Sequence, residues 1–284
     1  MRSKSALSVL FFGFVFLGAG ISTVSAQNGI KPQKRVVIRR LIEVSELSRH
    51  TSGIFEELTT LYQASWTLSV IADLKAKGLF NKSTPQQVAK VERIIDEFST
   101  DLFGEIKKRM RSEIFSDDAL EKMAGPIFDK YLSEDEINEL IIFSQAPPSR
   151  TLTDTYYKVI TDALILNMKE KGVFNVESNP SVEEAKFERL KKESESNPLD
   201  DIRKIFATVQ RLASETYTQN EMEELSALRN RPLATKLMQI LPLMAIEIRA
   251  NSMQFYGPQV GKLTQEVIDK QLKTLERRFS GNDK

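Results

Sequence analysis

Cysteine is absent from the 284 residues, and histidine and tryptophan occur once each. Without cysteine there is no disulfide and no thiolate chemistry, so stability must come from packing. With His50 as the single imidazole, a zinc site or a His-dependent catalytic triad lacks its usual members. An excess of one charge is lacking too, with 40 basic residues against 39 acidic. That balance argues against a dedicated nucleic-acid binder, which carries a basic surplus on one face. It also provides no field of either sign to select a partner. No run of alternating apolar and polar residues is long enough to mark a strand.

What is present begins with an export pattern. Arg2 and Lys4 precede an uncharged apolar run from Leu7 to Leu17, and the small Val24 and Ala26 stand before Gln27. These are the three parts of a secretory signal, and they predict periplasmic or secreted localisation after residues 1–26 are cut away. Extending the apolar run through Val24 nearly reaches the roughly 18 residues of a minimal membrane span, so retention as an anchor is the alternative. No cysteine is available for lipid attachment. Cleavage removes Arg2 and Lys4, leaving 38 of the 40 basic residues against 39 acidic ones, a net charge of about −1. The 258 residues left when 26 are removed from 284 suit one large domain or two small ones.

Helix punctuation follows throughout. Ser133 with Glu136, Thr218 with Glu221 and Ser181 with Glu184 have the spacing of capping boxes, in which hydroxyl and carboxylate answer each other's backbone amides. Thr84 before Pro85 is another start, because proline at the first helical position forfeits a donor that has no partner anyway. Leu152, Tyr156, Ile160, Ala163 and Leu164 recur at helical spacing. The polar stretch from Lys191 to Asp201, containing Pro198, reads as a solvated connection, and the last residues, SGNDK, as a fraying tail.

Self-similarity is also present. EINELIIFSQAP (Glu136 to Pro147) aligns without a gap on EMEELSALRNRP (Glu221 to Pro232), and the same shift carries Gly172 onto Gly257. IADLKAKGLFN (Ile71 to Asn81) matches ILNMKEKGVFN (Ile165 to Asn175), and AKVER (Ala89 to Arg93) resembles AKFER (Ala185 to Arg189). The repeated unit is a long helix ending at Gly78, Gly172 or Gly257 in a left-handed cap, followed by shorter helices. Pro242 falls inside the third long helix and predicts a kink there. The expected fold is all-α: a multi-helix bundle built from tandem repeated helical hairpins with long helices. Its expected layout is a signal peptide over 1–26 and a flexible basic arm over 27–40, then repeat regions over 41–172 and 173–257. A C-terminal helix and tail over 258–284 complete it.

The later segment TQNEMEELSALRNRPLATKLMQILP (Thr218 to Pro242) resembles the bacterial family known as domain of unknown function 2059. The features shared are a Ser or Thr cap, acidic residues, two apolar positions, a stop with proline, then leucine and a Leu-Pro pair. The earlier segment, Ser133 to Tyr157, departs from the pattern, with Tyr156 and Tyr157 in place of the Leu-Pro pair. The likeness covers Ile127 to Leu166 and Leu212 to Gln254, with a weaker echo at Arg39 to Ser48. It implies an exported helical protein and no particular reaction.

Candidate chemistry is sparse. Glu46 and His50 lie one helical turn apart, so the carboxylate can orient the imidazole. Asp117 with Asp118, Glu134 to Glu136, Asp200 with Asp201, and Glu221 with Glu223 and Glu224 are acidic clusters at expected helix starts, where negative charge is favourable. The basic stretches Lys107 to Arg111 and Lys31 to Arg40 could meet an anionic envelope surface. Phe55, Tyr62, Trp66, Phe98, Phe103, Phe128, Phe143, Phe206 and Phe255 are core residues or the walls of an apolar pocket between helices. No residue set matches a catalytic, cofactor or metal site, no cofactor is implied, and no feature fixes an oligomeric state. The expectation is an exported, non-catalytic envelope protein that binds a protein partner or an apolar ligand through grooves between helices, with peripheral envelope contact and no nucleic acid. A carboxylate-dependent periplasmic hydrolase and a purely structural envelope protein are the alternatives.

Overall fold

Proline sets the helix boundaries: Pro32, Pro85, Pro147, Pro180, Pro198 and Pro232 each open one, where a residue with fixed φ and no amide hydrogen is best tolerated. In a computed structural model, residues 30–145, 147–176, 180–223 and 231–279 are described. Their helices are α1 (Pro32–Val44), α2 (Leu47–Ala76), α3 (Pro85–Arg109), α4 (Asp117–Tyr131), α5 (Glu134–Gln145), α6 (Pro147–Glu170), α7 (Pro180–Ser196), α8 (Pro198–Thr216) and α9 (Pro232–Phe279). A π-helical turn, Met110–Ile114, joins α3 towards α4. The protein is an all-α multi-helix bundle, with no strand among the described residues.

The caps explain where several helices start. Thr84 and Gln87 close a full capping box, Gln87 supplying the reciprocal acceptor that the sequence reading overlooked. Ser133 with Glu136 and Thr218 with Glu221 form the expected reciprocal bonds. Ser181 lies one residue inside the helix that Pro180 opens. The helices α2 and α6 end alike. Gly78 and Gly172 both adopt φ of +71°. The amides of Leu79 and Val173 reach back to the carbonyls of Leu74 and Met168, closing both ends in the same way.

Gly257 is different. It lies within α9, which runs for 48 residues from Pro232 to Phe279 through both Pro242 and Pro258. A residue before proline is pushed out of the helical region by its own Cβ, so glycine at 257 lets the helix continue rather than stop. The expected break between 257 and a separate C-terminal helix over 258–284 is therefore absent as far as Phe279. The presumed solvated connection from Lys191 to Asp201 is helical on either side of Asn197. The signal segment 1–26 and the SGNDK tail lie outside the described residues.

The expected flexible arm over 27–40 is also corrected, because its described part is the helix α1. Ile38, Leu41 and Ile42 are buried against α4 and α5. Its cations face acidic partners on α4: Lys34 lies 2.9 Å from Asp129, Arg35 2.6 Å from Glu121, and Arg39 2.9 Å from Asp118. A buried apolar stripe and paired charges hold this segment in place. No helix among the described residues is long and apolar enough to cross a membrane.

Two apolar clusters result. The larger joins α1 to α5, the π turn, the end of α6, α7 and α9, with Tyr62, Leu102, Phe103, Ile137 and Ile268 sealed at its centre. The smaller consists of Val159 and Ala163 on α6 and Val209 on α8, with Ile160, Ile205, Leu212 and Ala213 around them. The α6–α8 pair thus packs on itself through its middle and meets the larger cluster only partly.

Candidate functional site

Where the two clusters face each other they do not close. Between them lies a cavity of about 550 Å³. One wall is built by α2, the π turn and α4, through residues such as Phe55, Ile114 and Met123. The opposite wall comes from α6 and α8. Tyr156, Ile160 and Leu164 stand on one stripe of α6 at intervals of four, which turns them to the cavity while Val159 and Ala163 face α8.

The helix α9 supplies the third side through Ala245, Ile248, Arg249, Ser252, Tyr256 and Val260. Steps of three and four residues keep these on one face of the helix. Arg249 is the single charged residue among the described lining residues, and no carboxylate is among them. Its Nε is shielded from solvent. The hydroxyl of Ser252 donates to the carbonyl of Ile248 at 2.7 Å. Tyr256 is 5% exposed, and its phenol oxygen has no hydrogen-bond partner among the described residues. Burial pushes its ionisation well above the ordinary tyrosine value. The π turn adds Met110 and Ile114 to the wall, and its amide-to-carbonyl bond from Phe115 to Met110 spans five residues at 3.0 Å. That wider winding places consecutive turns differently from an α-helix, and such turns gather at binding sites.

The residues singled out from sequence are distributed differently. The carboxylate of Glu46 pairs with Arg49 instead of orienting His50. His50 stacks on Tyr157 at 3.9 Å and lies 3.7 Å from Asp154 of α6, beside the cavity wall at Thr51. Burial is the largest influence on this imidazole and holds it below its ordinary value, against the opposing pull of Asp154. Asp117 and Asp118 open α4 and Glu134 to Glu136 open α5. Glu136 also accepts from Lys236 at 2.6 Å, which holds its carboxyl below the usual range. Asp200 and Asp201 open α8, with Asp201 bonded to Lys171 at 2.6 Å. Glu221 caps its helix, Glu223 accepts from Gln219, and Glu224 lies outside the described residues.

None of these described acids lines the cavity. Among the described residues no group of three or more histidines, aspartates or glutamates gathers to hold a metal. The basic stretch from Lys107 to Arg111 is tied inward. Arg109 bonds Glu113 and Glu266, Arg111 pairs with Glu56, and Met110 is buried between them. Phe55, Phe128 and Phe206 line the cavity, whereas Tyr62 and Phe103 fill the core.

Sequence reasoning missed a buried acid. Glu183 on α7 is 1% exposed, accepting from Lys186 at 2.8 Å and from the Tyr62 hydroxyl of α2 at 3.2 Å. Its only sequence signal was the Glu-to-Lys spacing of three residues on a helix. Comparisons with protein-family models, curated proteins and solved structures find no match to the chain. The resemblance carried by Thr218 to Pro242 therefore stands on those residues alone, and function has to be read from the cavity.

Proposed function

We propose that this protein is a non-catalytic binding protein for an apolar ligand, held in the cavity between the α6–α8 pair and the main core, and that it works in the cell envelope after export. The observation that carries the reading is the size of the cavity set against its lining. The cavity opens to solvent on one side, so when empty it leaves a concave apolar surface wet. Covering that surface with an apolar occupant is favourable. Walls of Leu, Ile, Val, Met and Phe offer water few of the two to four polar partners it needs. An apolar molecule satisfies the same surface without that demand. Export is the part of the reading supported by the pattern at residues 1–26.

The test is a titration of the full chain with the environment-sensitive dye N-phenyl-1-naphthylamine. Saturable fluorescence enhancement at one site per chain is expected. Ala245→Phe on α9 and Ile160→Trp on α6 fill the cavity from opposite sides and are expected to weaken binding at least fivefold. The exposed Ala207→Phe on α8 should leave it unchanged. Unsaturable binding, or affinity unaltered in both filled variants while circular dichroism stays helical, defeats the proposal.

A further inference from the structure

Resting on that reading, we infer that the ligand is a single-chain amphiphile recognised by its tail: one extended aliphatic chain of about sixteen to eighteen carbons whose small polar end stays at the mouth of the cavity. The first support is the amount of space. Allowing roughly 30 Å³ per heavy atom, the share a water takes in its liquid, the cavity holds on the order of eighteen heavy atoms. A two-chain phospholipid carries more than twice as many.

The second support is the shape of that space. Its lining residues on α9 run from Ala245 to Val260, about 22 Å of helix at about 1.5 Å per residue, and on α2 from Leu47 to Leu58, about 16 Å. Spread along the longer run, the cavity volume averages about 25 Å² in cross-section. About eighteen carbons in an extended zigzag, each advancing about 1.25 Å for a bond near 1.5 Å and an angle near 111°, reach about 22 Å. One chain therefore meets the length and the volume together. Fused rings set rows of carbon side by side, so the same number of atoms is too thick for that cross-section and too short for that length.

The third support is where a polar end can rest. Tyr156 is 38% exposed, the one exposed side chain of the described lining, and it marks the mouth. A chain that enters tail first leaves its head there, in water and beside a ring whose body is apolar and whose tip is polar. Deeper in, a head would give up its hydration without return. No carboxylate is among the described lining residues, and Arg249, the one cation there, already has a partner within the protein. The site therefore reads the length and thickness of the tail and is indifferent to the charge of the head.

The experiment displaces bound N-phenyl-1-naphthylamine from the full chain with dodecanol, hexadecanol, octadecanol, docosanol, hexadecanoate or androstanol, the last holding about as many heavy atoms as octadecanol in fused rings. Each is delivered from methyl-β-cyclodextrin and compared at equal free concentration. Displacement is expected to strengthen at least tenfold from dodecanol to hexadecanol, as added methylenes are buried, and to gain nothing from octadecanol to docosanol. Androstanol should be at least tenfold weaker than octadecanol, and hexadecanoate should match hexadecanol within fivefold. A smaller handicap for androstanol, a smaller gain up to hexadecanol, or a gain that continues to docosanol overturns the single extended chain and leaves the apolar site standing. A difference beyond fivefold between acid and alcohol overturns recognition by the tail alone. Failure of every alcohol against a saturably bound dye also overturns the chain assignment. Absence of saturable dye binding overturns instead the reading on which this inference rests.

Discussion

His50 is the one imidazole in the chain, and the loss of solvent around its half-buried ring outweighs the charges of its neighbours. Its ring lies 7° from parallel with Tyr157, so it joins α2 to α6 at the edge of the cavity. Desolvation lowers its affinity for a proton, Asp154 and Glu46 raise it, and Arg49 lowers it. Desolvation is the largest of these influences, so the folded protein holds the proton more weakly than the unfolded chain does. The linked stability is then fully present above the ordinary value of 6.5 and declines as pH falls below it. We predict that urea midpoints drop between pH 7.5 and pH 5, and that His50→Gln flattens this slope. The carboxyls that fold holds low, Glu113, Glu136, Glu221 and Glu247, act in a more acidic range and do not mask it. Equal slopes in both proteins would contradict the assignment. The spacing of Glu46 and His50 placed them one helical turn apart. It could not show that the partners of the imidazole come from a different helix, because only packing brings Tyr157 and Asp154 there.

At the scale of the element, glycine separates what sequence can specify from what it cannot. The three glycines at 78, 172 and 257 stood in equivalent positions of the aligned segments, and each suggested a left-handed stop. Two of them adopt it. The third precedes Pro258 and lies in helix, since the residue that follows decides whether its missing Cβ serves a turn or a continuing helix. Helix starts were legible because a cap is a local bond between residues three apart, as at Ser133 and Glu136. Helix ends within α9 were not, because tertiary contacts along its length outweigh the local preference of Pro242 and Pro258. Substitutions should report these conformations directly. At Gly172, with φ of +71°, an alanine Cβ meets only Asn175 at an ordinary 3.5 Å, so backbone strain alone decides the outcome. Gly172→Ala is expected to cost about 1 kcal/mol in urea unfolding. Gly261→Ala, in the interior of α9 with open space around the added carbon, is expected to stabilise by about 0.5–1 kcal/mol. A neutral result at Gly172 would show that its turn does not constrain the fold.

Across the whole molecule, the split into two apolar clusters governs how the parts move. The all-helical character was legible because helical spacing is written locally, as in Tyr156, Ile160 and Leu164. The cavity was not, because its walls are assembled from helices as distant as α2 and α9, and periodicity does not distinguish a side chain packed on protein from one facing a space. The small cluster on α6 and α8 has Val159, Ala163 and Val209 as its buried members, while the main core seals Tyr62, Phe103, Ile42 and many others. Fewer buried contacts lower the free energy of local opening, so the α6–α8 pair should open more readily than the rest. Amide hydrogens of residues 153–164 and 198–213 are then expected to exchange faster than those of α2 and α4 in protein stripped of ligand. A molecule filling the cavity touches both sides and binds only the closed arrangement. It therefore adds stability that grows with its concentration, about 2.7 kcal/mol at a hundredfold excess over the dissociation constant. Saturating N-phenyl-1-naphthylamine should accordingly slow exchange in α6 and α8 most, and in α1 and α5, which lie away from the cavity, least. Uniform exchange across the helices before addition, or uniform slowing after it, would show that the two clusters behave as a single cooperative unit and that the space between them is not where the ligand acts.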